Sequence, residues 1–141
     1  MKTSNASYLA AINNERLSTR ALELPDAKSW TAFVENEEAM KYIPLHMDKP
    51  LSNEERATFW IEKQLDRYKT GNYGMQVLVN KETLEFSGLC GLLTQTVDNE
   101  KVLEIGYHIF PKYWKQGYAS EAAIGFENYA CGNQLTDSLV S

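Results

Sequence analysis

The sequence of 141 residues is poor in the residues that build metal centres and disulfide frameworks, since it has two cysteines and two histidines. Cys90 and Cys131 form no CxxC motif and have no histidine cluster beside them, which argues against a zinc site or a redox motif. We expect both thiols to be reduced and to pack as small apolar groups. His46 and His108 are too few for a multi-histidine centre, so we expect no metal.

Long hydrophobic runs and blocks of positive charge are also missing. No apolar run approaches the about 18 residues that a membrane-spanning helix needs, and the polar start of the chain is not followed by an apolar signal region. The formal net charge is −5, and the 14 lysines and arginines are scattered along the chain. We therefore expect a cytoplasmic protein with neither a nucleic acid nor a membrane as partner.

Apolar sequence is present in the amount that one hydrophobic core requires. Hydrophobic residues make up 43% of the chain and aromatic residues 11%, and a chain of this length is typical of one domain of about 100 to 200 residues. No repeat, low-complexity tract or linker divides it. We expect a single domain over residues 1–141, in which residues 1 to about 13 are a loosely held lead-in.

The first part of the chain predicts a strand followed by two helical segments. Residues 15–24 mix apolar and charged side chains as a strand does, and Pro25 interrupts them. Asp26 is a suitable N-cap for a helix that runs to about Asn36. A short helical piece follows through Tyr42, before two prolines force a loop.

The clearest helical signal begins at Ser52. Ser52 and Glu55 have the spacing of a capping box, in which each side chain satisfies a backbone N–H group of the other residue. Apolar residues then recur at helical spacing as far as Tyr68, and Gly71 stands where a left-handed residue ends a helix.

Three strand-like runs follow this helix, at Tyr73–Val79, Phe86–Thr96 and Val102–Phe110. The turns between them, at 80–82 and 98–100, are too short for crossover helices and predict an antiparallel meander. We therefore expect an α/β (α+β) fold with a mixed, mostly antiparallel sheet flanked by helices.

The stretch after the third strand carries the strongest functional signal. Pro111 ends the strand, a polar loop leads to Gly117, and a helix runs from Tyr118 to about Ala130. A helix N-terminus offers unpaired N–H groups and partial positive charge, which suit a phosphate, and Lys115 adds a cation. The alternative is an ordinary strand-to-helix turn. The chain contains neither GxGxxG nor GxxxxGK[ST], which excludes the dinucleotide-fold and P-loop interpretations.

The same stretch resembles a known family. Residues 104–107 read Glu-Ile-Gly-Tyr, and residues 114–122 read Trp-Lys-Gln-Gly-Tyr-Ala-Ser-Glu-Ala. Together they are similar to the "EIGY … W-G-K-G-Y-A-T-E-A" signature of the RimJ/RimL-like ribosomal-protein N-terminal acetyltransferases, a branch of the GNAT superfamily. Glu15, Arg16, Leu17 and Arg20 resemble the first strand of that branch. The order of elements agrees over nearly the whole chain.

The resemblance implies that the chain binds acetyl-CoA without a metal. Backbone groups of the strand that ends at His108, Ile109 and Phe110 would pair with the pantetheine arm. The loop and helix start would hold the pyrophosphate, through Lys115, Gln116, Gly117, Tyr118, Ala119 and Ser120.

Two features depart from the family pattern. Lys115 stands where the family usually has glycine, and a lysine fits that position if its φ is negative.

Residues 137–141 predict the start of a further strand, and the helix and hairpin that follow it in the family are absent from the chain. An unpaired strand edge favours pairing with another chain, so we expect a homodimer or larger assembly, or marginal stability. A monomer closed by Leu135, Leu139 and Val140 is the alternative.

Glu104 is the candidate catalytic residue, because the family often places a carboxylate general base on this strand. An attacking amine must be neutral, and a positioned carboxylate can accept its proton. The alternative is a solvent-facing glutamate paired with a lysine.

Strict alternation places His108 on the side of Glu104 and Tyr107 on the other, so His108 is either a proton relay or a satisfied sheet residue. Tyr118 is either a hydrogen-bond donor or a packed aromatic.

Other residues have simpler interpretations. Trp30, Trp60 and Trp114 are expected in the core or the cleft wall. His46, Met47 and Asp48 form a loop that either borders the acceptor site or is merely exposed. Glu121 at the helix start is expected to favour the helix dipole and no more.

The function that the resemblance implies is direct acetyl transfer from acetyl-CoA to a primary amine, on a peptide N-terminus or a small molecule. Free N–H groups of the strand would polarise the thioester carbonyl. One alternative is a non-catalytic CoA-binding or interaction module, and another is a general phosphate- or nucleotide-binding domain.

Overall fold

A computed structural model describes residues 8–41, 43 and 51–133 of the chain. Its strands are β1 (Leu17–Arg20), β2 (Tyr73–Asn80), β3 (Phe86–Val97) and β4 (Glu100–Ile109). Its helices are α1 (Ala27–Glu35), α2 (Glu37–Met40), α3 (Asn53–Thr70) and α4 (Tyr118–Gly132), with 3₁₀ turns at Leu24–Asp26 and Pro111–Tyr113. The strands form one sheet in the order β1-β2-β3-β4, and each neighbouring pair is antiparallel.

The predicted meander is confirmed, with small differences at the strand ends. β1 is much shorter than the run 15–24 that predicted it. Each of the other three strands lies within two residues of its predicted limits. Tyr42 and the predicted strand at 137–141 lie outside the described residues.

Helix α3 begins and ends at the predicted residues. The hydroxyl of Ser52 accepts from the N–H of Glu55 at 3.2 Å, and Oε1 of Glu55 accepts from the N–H of Ser52 at 3.1 Å. Gly71 follows the helix with a φ of 75°. These signals act between residues close in sequence, which is why the sequence alone reveals them.

Asp26 does not cap helix α1 with its side chain as predicted. Its carboxylate instead forms an ion pair with Arg20 at 2.8 Å and accepts from the N–H of Glu23 at 2.8 Å. Asp26 itself has helical φ and ψ, because the 3₁₀ turn Leu24–Asp26 leads directly into the helix. The ion pair therefore joins the end of β1 to the start of α1.

The sheet separates two hydrophobic clusters. Helices α1 and α3 cover one face, where Trp30 and Ile61 pack on Val77 and Leu89. Helix α4 covers the other face, where Phe126 packs near residues of β3 and β4. Buried members of the second cluster include Leu17, Leu78, Cys90, Leu92, Leu103, Ile105, Ile109, Ala122 and Ala130.

The two cysteines differ in their surroundings. Cys90 is fully buried, and burial raises the pKa of its thiol far above the ordinary value. Cys131 is exposed near the end of α4, so the expectation that it packs as a buried apolar residue is wrong. Both thiols are free, as predicted.

The lead-in to the sheet is anchored at Tyr8, which contradicts the expectation of a loosely held segment for residues 8–13, and residues 1–7 lie outside the described part of the chain. Tyr8 is 1% exposed. Its hydroxyl donates to the carbonyl of Gly74 on β2 and accepts from the N–H of Leu92 on β3, the latter at 2.8 Å. The side chain of Gln76 also donates to the carbonyl of Tyr8 at 2.9 Å. Tyr8 is therefore inserted between the two central strands.

Candidate functional site

Strand β4 is the last strand of the sheet in the described part of the chain, and one edge of it is open. The N–H of Phe110 donates to Ser87 at 3.1 Å, and the carbonyl of His108 points toward Gly88. Alternation along an antiparallel strand then turns the backbone groups of Ile105, Tyr107 and Ile109 toward the open edge. This corrects the expectation for His108, whose carbonyl points to β3. It also corrects the expectation for Phe110, whose N–H bonds to Ser87 and whose carbonyl accepts from the N–H of Tyr113 at 2.9 Å.

The indole of Trp114 covers one of these edge groups. Its Nε1 donates to the carbonyl of Ile109 at 2.7 Å. Trp114 is 38% exposed, whereas Trp30 and Trp60 are buried in the core as expected. Trp114 therefore contacts the open edge at the end of β4, whereas Trp30 and Trp60 lie in the core.

A cavity of about 250 Å³ lies where β4 meets the start of α4. Six predicted cofactor-binding residues line it together with Tyr113 and Trp114: Ile109, Lys115, Gly117, Tyr118, Ala119 and Ser120. His108, Phe110 and Gln116 are not among the lining residues. The side chain of Gln116 donates instead to the carbonyl of Lys112 at 3.0 Å. The fold thus gathers the loop and the helix start around one small cavity.

The N-terminus of α4 suits an anion. Gly117 precedes the helix and provides no side-chain cap, and the N–H of Glu121 is the first to bond within the helix, to the carbonyl of Gly117. The N–H groups of Tyr118, Ala119 and Ser120 therefore have no protein partner in the described part of the chain. All three residues line the cavity. Unpaired donors with partial positive charge match the chemistry of a pyrophosphate.

Two residues of the loop have left-handed backbone conformations. Gly117 has a φ of 81°, which glycine adopts readily. Lys115 has a φ of 64°, so the negative φ that would suit a lysine is not what the structure has. The loop therefore keeps a glycine-type conformation at Lys115 although the side chain disfavours it.

Glu121 does more than favour the helix dipole, which corrects the sequence-based expectation. Its carboxylate accepts from the backbone N–H groups of Arg16 and Leu17 at 2.8 and 3.1 Å, and from Nε of Arg16 at 2.7 Å. Burial alone would raise the pKa of Glu121, but the hydrogen bonds and the charge of Arg16 lower it. The start of α4 is thereby joined to the start of β1.

Glu104 and His108 lie on the same side of β4, as alternation predicts, since the strand pairs with β3 without a register shift. Glu104 is partly buried, and Nε2 of Gln95 lies 3.5 Å from its Oε1. Leu93 is its partner across the strands. The described contacts leave the carboxylate without an ion pair, so the alternative of a glutamate paired with a lysine is not what the described residues show.

His108 packs edge-on against aromatic rings. The ring centroids of Trp60 and Phe33 lie 5.0 and 6.0 Å from its own. Burial lowers the pKa of His108 to about 4, so the imidazole is neutral at physiological pH. A neutral, aromatic-packed histidine suits a structural place in the sheet better than a proton relay.

Tyr118 is a packed aromatic residue whose hydroxyl is also engaged. The guanidinium carbon of Arg16 lies 4.4 Å from the centroid of its ring, and the ring of Tyr113 contacts it edge-on. Its hydroxyl accepts from Nδ2 of Asn80 at 3.3 Å. His46, Met47 and Asp48 lie outside the described residues.

Residues 8–41, 43 and 51–133 contain neither a metal-binding cluster nor a membrane-spanning helix. Within these ranges no group of three or more His, Cys, Asp or Glu side chains could hold a metal ion. No helix in the same part of the chain is both long and apolar enough to cross a membrane.

Comparison with known proteins shows the family of the chain. The family model for the acetyltransferase (GNAT) domain matches residues 16–141. The chain belongs to the GNAT acetyltransferase family. The uncharacterized N-acetyltransferase p20 of Bacillus licheniformis is 30% identical over 121 residues, which are 86% of this chain and 66% of p20. The chain therefore spans a little under two thirds of the length of this relative.

Solved GNAT structures share the fold. An acetyltransferase of the GNAT family from Bacillus anthracis has a TM-score of 0.70 at 24% identity, over 92% of this chain and 71% of that one. RimL, a ribosomal L7/L12 α-N-protein acetyltransferase in complex with coenzyme A, has a TM-score of 0.63 at 18% identity, over 86% of this chain and 67% of that one. The shared architecture is a four-stranded antiparallel sheet flanked by helices.

Proposed function

We propose that this GNAT chain transfers an acetyl group from acetyl-CoA to a primary amine, on a peptide N-terminus or a small molecule. The observation that carries the proposal is the cavity at the end of β4, which is lined by Tyr118, Ala119 and Ser120 at the uncapped start of α4. The name of p20 and the coenzyme A complex of RimL support it. The motifs at 104–107 and 114–122 support a place in the RimJ/RimL-like branch.

The proposed cofactor-binding residues provide two kinds of group: N–H groups and a positive charge at the loop and helix start, and backbone groups at the edge of β4. The start of α4 offers N–H groups to the phosphates, and Lys115 lies at the same cavity with a positive charge. Ile105 and Tyr107 offer backbone groups at the open edge of β4, to which an extended amide-containing arm can bond as a further strand would. When bound, acetyl-CoA supplies the acetyl thioester.

The proposed general base is Glu104. It lies five positions before Ile109 at the cavity, which is about 17 Å along an extended strand. An α-amino group has a pKa near 8 and a lysine side chain near 10.4, so most of either is protonated at neutral pH. Glu104 accepts the proton of the attacking amine as the C–N bond forms and the C–S bond breaks, with coenzyme A leaving as the thiolate. Such general base catalysis contributes roughly 10²- to 10⁴-fold.

The experiment is acetyl-CoA-dependent thiol release measured over a panel of peptides, polyamines and amino sugars. We expect release with at least one primary amine. Thermal melts with coenzyme A provide a separate readout, since binding stabilises the folded state by about 2.7 kcal/mol at a hundredfold excess over Kd. Gly117→Val, which places a β-branched residue at a φ of 81°, should abolish the shift.

The two readouts distinguish the outcomes. Coenzyme A binding without thiol release for any amine would indicate the non-catalytic CoA-binding module. A melt unchanged by millimolar acetyl-CoA would contradict the proposed cofactor.

A further inference from the structure

The carboxylate of Glu121 brings a negative charge close to the proposed phosphate site. It lies in the first turn of α4, where a negative charge stabilises the helix. It also follows Ser120, which lines the cavity. A bare carboxylate at this position would repel the phosphate groups that the helix N-terminus attracts.

Arg16 balances the negative charge of Glu121 and also contacts the loop. Its Nε forms the 2.7 Å ion pair with Glu121, and its Nη1 donates to the carbonyl of Gln116 at 2.8 Å. The same guanidinium stacks on the ring of Tyr118. These contacts hold the residues on both sides of Gly117. A Cβ added to Gly117 would lie 3.3 Å from Nη2 of Arg16, so the guanidinium packs closely against the turn.

We infer that Arg16 is a positioning residue for coenzyme A: it holds the loop 115–118 in its binding conformation and offsets the charge of Glu121 beside the phosphate site. Arg16 does not line the cavity, so it acts through the loop and through Glu121. The inference rests on the proposed function, because it assigns the site to a phosphate-bearing ligand. It gives the residue that directly precedes β1 a role in cofactor binding, although β1 and β4 lie at opposite edges of the sheet.

Arg20, at the end of β1, supplies a matched control for Arg16, which directly precedes β1. It forms a comparable ion pair, with Asp26 at 2.8 Å, and its side chain is 45% exposed against 43% for Arg16. Arg20 contacts the start of α1 and has no described contact with the cavity loop. Arg16→Ala and Arg20→Ala therefore each lose a surface ion pair, and only Arg16→Ala also loses the contact with the loop.

The test measures coenzyme A affinity by calorimetry for the unchanged chain and for Arg16→Ala, Arg16→Lys, Glu121→Gln, Arg16→Ala with Glu121→Gln, and Arg20→Ala. We expect Arg16→Ala to weaken binding by about tenfold, as one unbalanced charge near a partly screened anion site would. Arg16→Lys keeps the charge and should bind more tightly than Arg16→Ala. Removing the carboxylate as well should recover part of the loss, and Arg20→Ala should bind as the unchanged chain does.

Hydrogen exchange without coenzyme A tests the loop itself. We expect faster exchange at the amides of residues 117–121 in Arg16→Ala, with β3 and β4 unaffected. Unchanged exchange there, or affinity within twofold of the parent while the parent binds coenzyme A, would overturn the inference alone. Equal weakening in Arg20→Ala would also overturn it. A parent chain that does not bind coenzyme A would overturn the proposed function as well.

Discussion

The indole N–H of Trp114 donates to the carbonyl oxygen of Ile109 across 2.7 Å, at the point where β4 ends beside the cavity. This bond occupies a backbone acceptor on the open edge of the strand. A ligand that adds to this edge must lie against the indole or displace it. Trp114 is therefore a natural reporter of binding.

We expect coenzyme A to change the tryptophan fluorescence of the protein through Trp114. Trp30 and Trp60 are at most 6% exposed and should contribute a constant background. Titration of the parent chain and of Trp114→Phe checks this. The change should disappear in Trp114→Phe, and a full signal in that variant would show that binding is sensed elsewhere.

Tyr8→Phe should destabilise the protein by about 2 kcal/mol, because a buried carbonyl and a buried N–H group lose their common partner. These are the carbonyl of Gly74 and the N–H of Leu92. Urea unfolding measures the difference. Tyr107→Phe is the control, since Tyr107 is 47% exposed and such a surface change should stay within about 0.5 kcal/mol. Equal values for the two variants would contradict the anchoring role of Tyr8.

His108 should make the protein sensitive to mild acid. Its pKa is about 4 when folded, against 6.5 for the ordinary side chain, so the unfolded chain binds a proton more readily between these values. Stability is therefore full above pH 6.5 and falls by up to about 1.4 kcal/mol per pH unit as pH drops toward 4. Urea unfolding between pH 4.5 and 7.5 should show a flatter profile for His108→Phe. Parallel profiles would remove His108 as the cause.

Glu104→Gln should lower kcat by roughly 10²- to 10⁴-fold and leave coenzyme A affinity nearly unchanged, because the proposed role of the carboxylate is toward the amine and not toward the cofactor. The loss should shrink at high pH, where more amine is already neutral. Glu100→Gln at the exposed start of the same strand is the control. Thiol-release kinetics from pH 7 to 9.5 check both. Full activity of Glu104→Gln at pH 7 would exclude Glu104 as the base.

Lys115→Gly should stabilise the protein by up to about 1 kcal/mol, since glycine relieves the left-handed backbone at this position. Lys115→Ala removes the same charge and keeps a Cβ, so it should leave stability near that of the parent. Thermal and urea unfolding of both variants measure the difference. If alanine stabilises as much as glycine, the gain comes from the lost side chain and the backbone argument is wrong.

Local signals predicted much of the fold. The capping box of Ser52 and Glu55, the helix end at Gly71 and the short turns between strands each depend on residues near one another in sequence. The loop around Gly117 was predicted for the same reason, and it does line a cavity with the start of α4.

Two of the missed features depend on residues that are distant in sequence. Tyr8 meets Leu92 across 84 positions, and Arg16 meets Glu121 across 105, so no local spacing could reveal either contact. Asp26 is of a residue type that often caps helices, but its carboxylate pairs with the nearby Arg20 instead. Competition of this kind decides between partners that a local pattern treats as equal.

The long span between Arg16 and Glu121 also bears on the order in which the protein folds. Contacts between distant residues form late, because the entropy of closing the intervening chain must be offset first. Weakening this contact should therefore speed unfolding and leave the folding rate nearly unchanged. The β3 and β4 hairpin, which joins neighbouring residues, can form before it. The proposed anion site would then be completed among the last steps of folding and be lost among the first steps of unfolding.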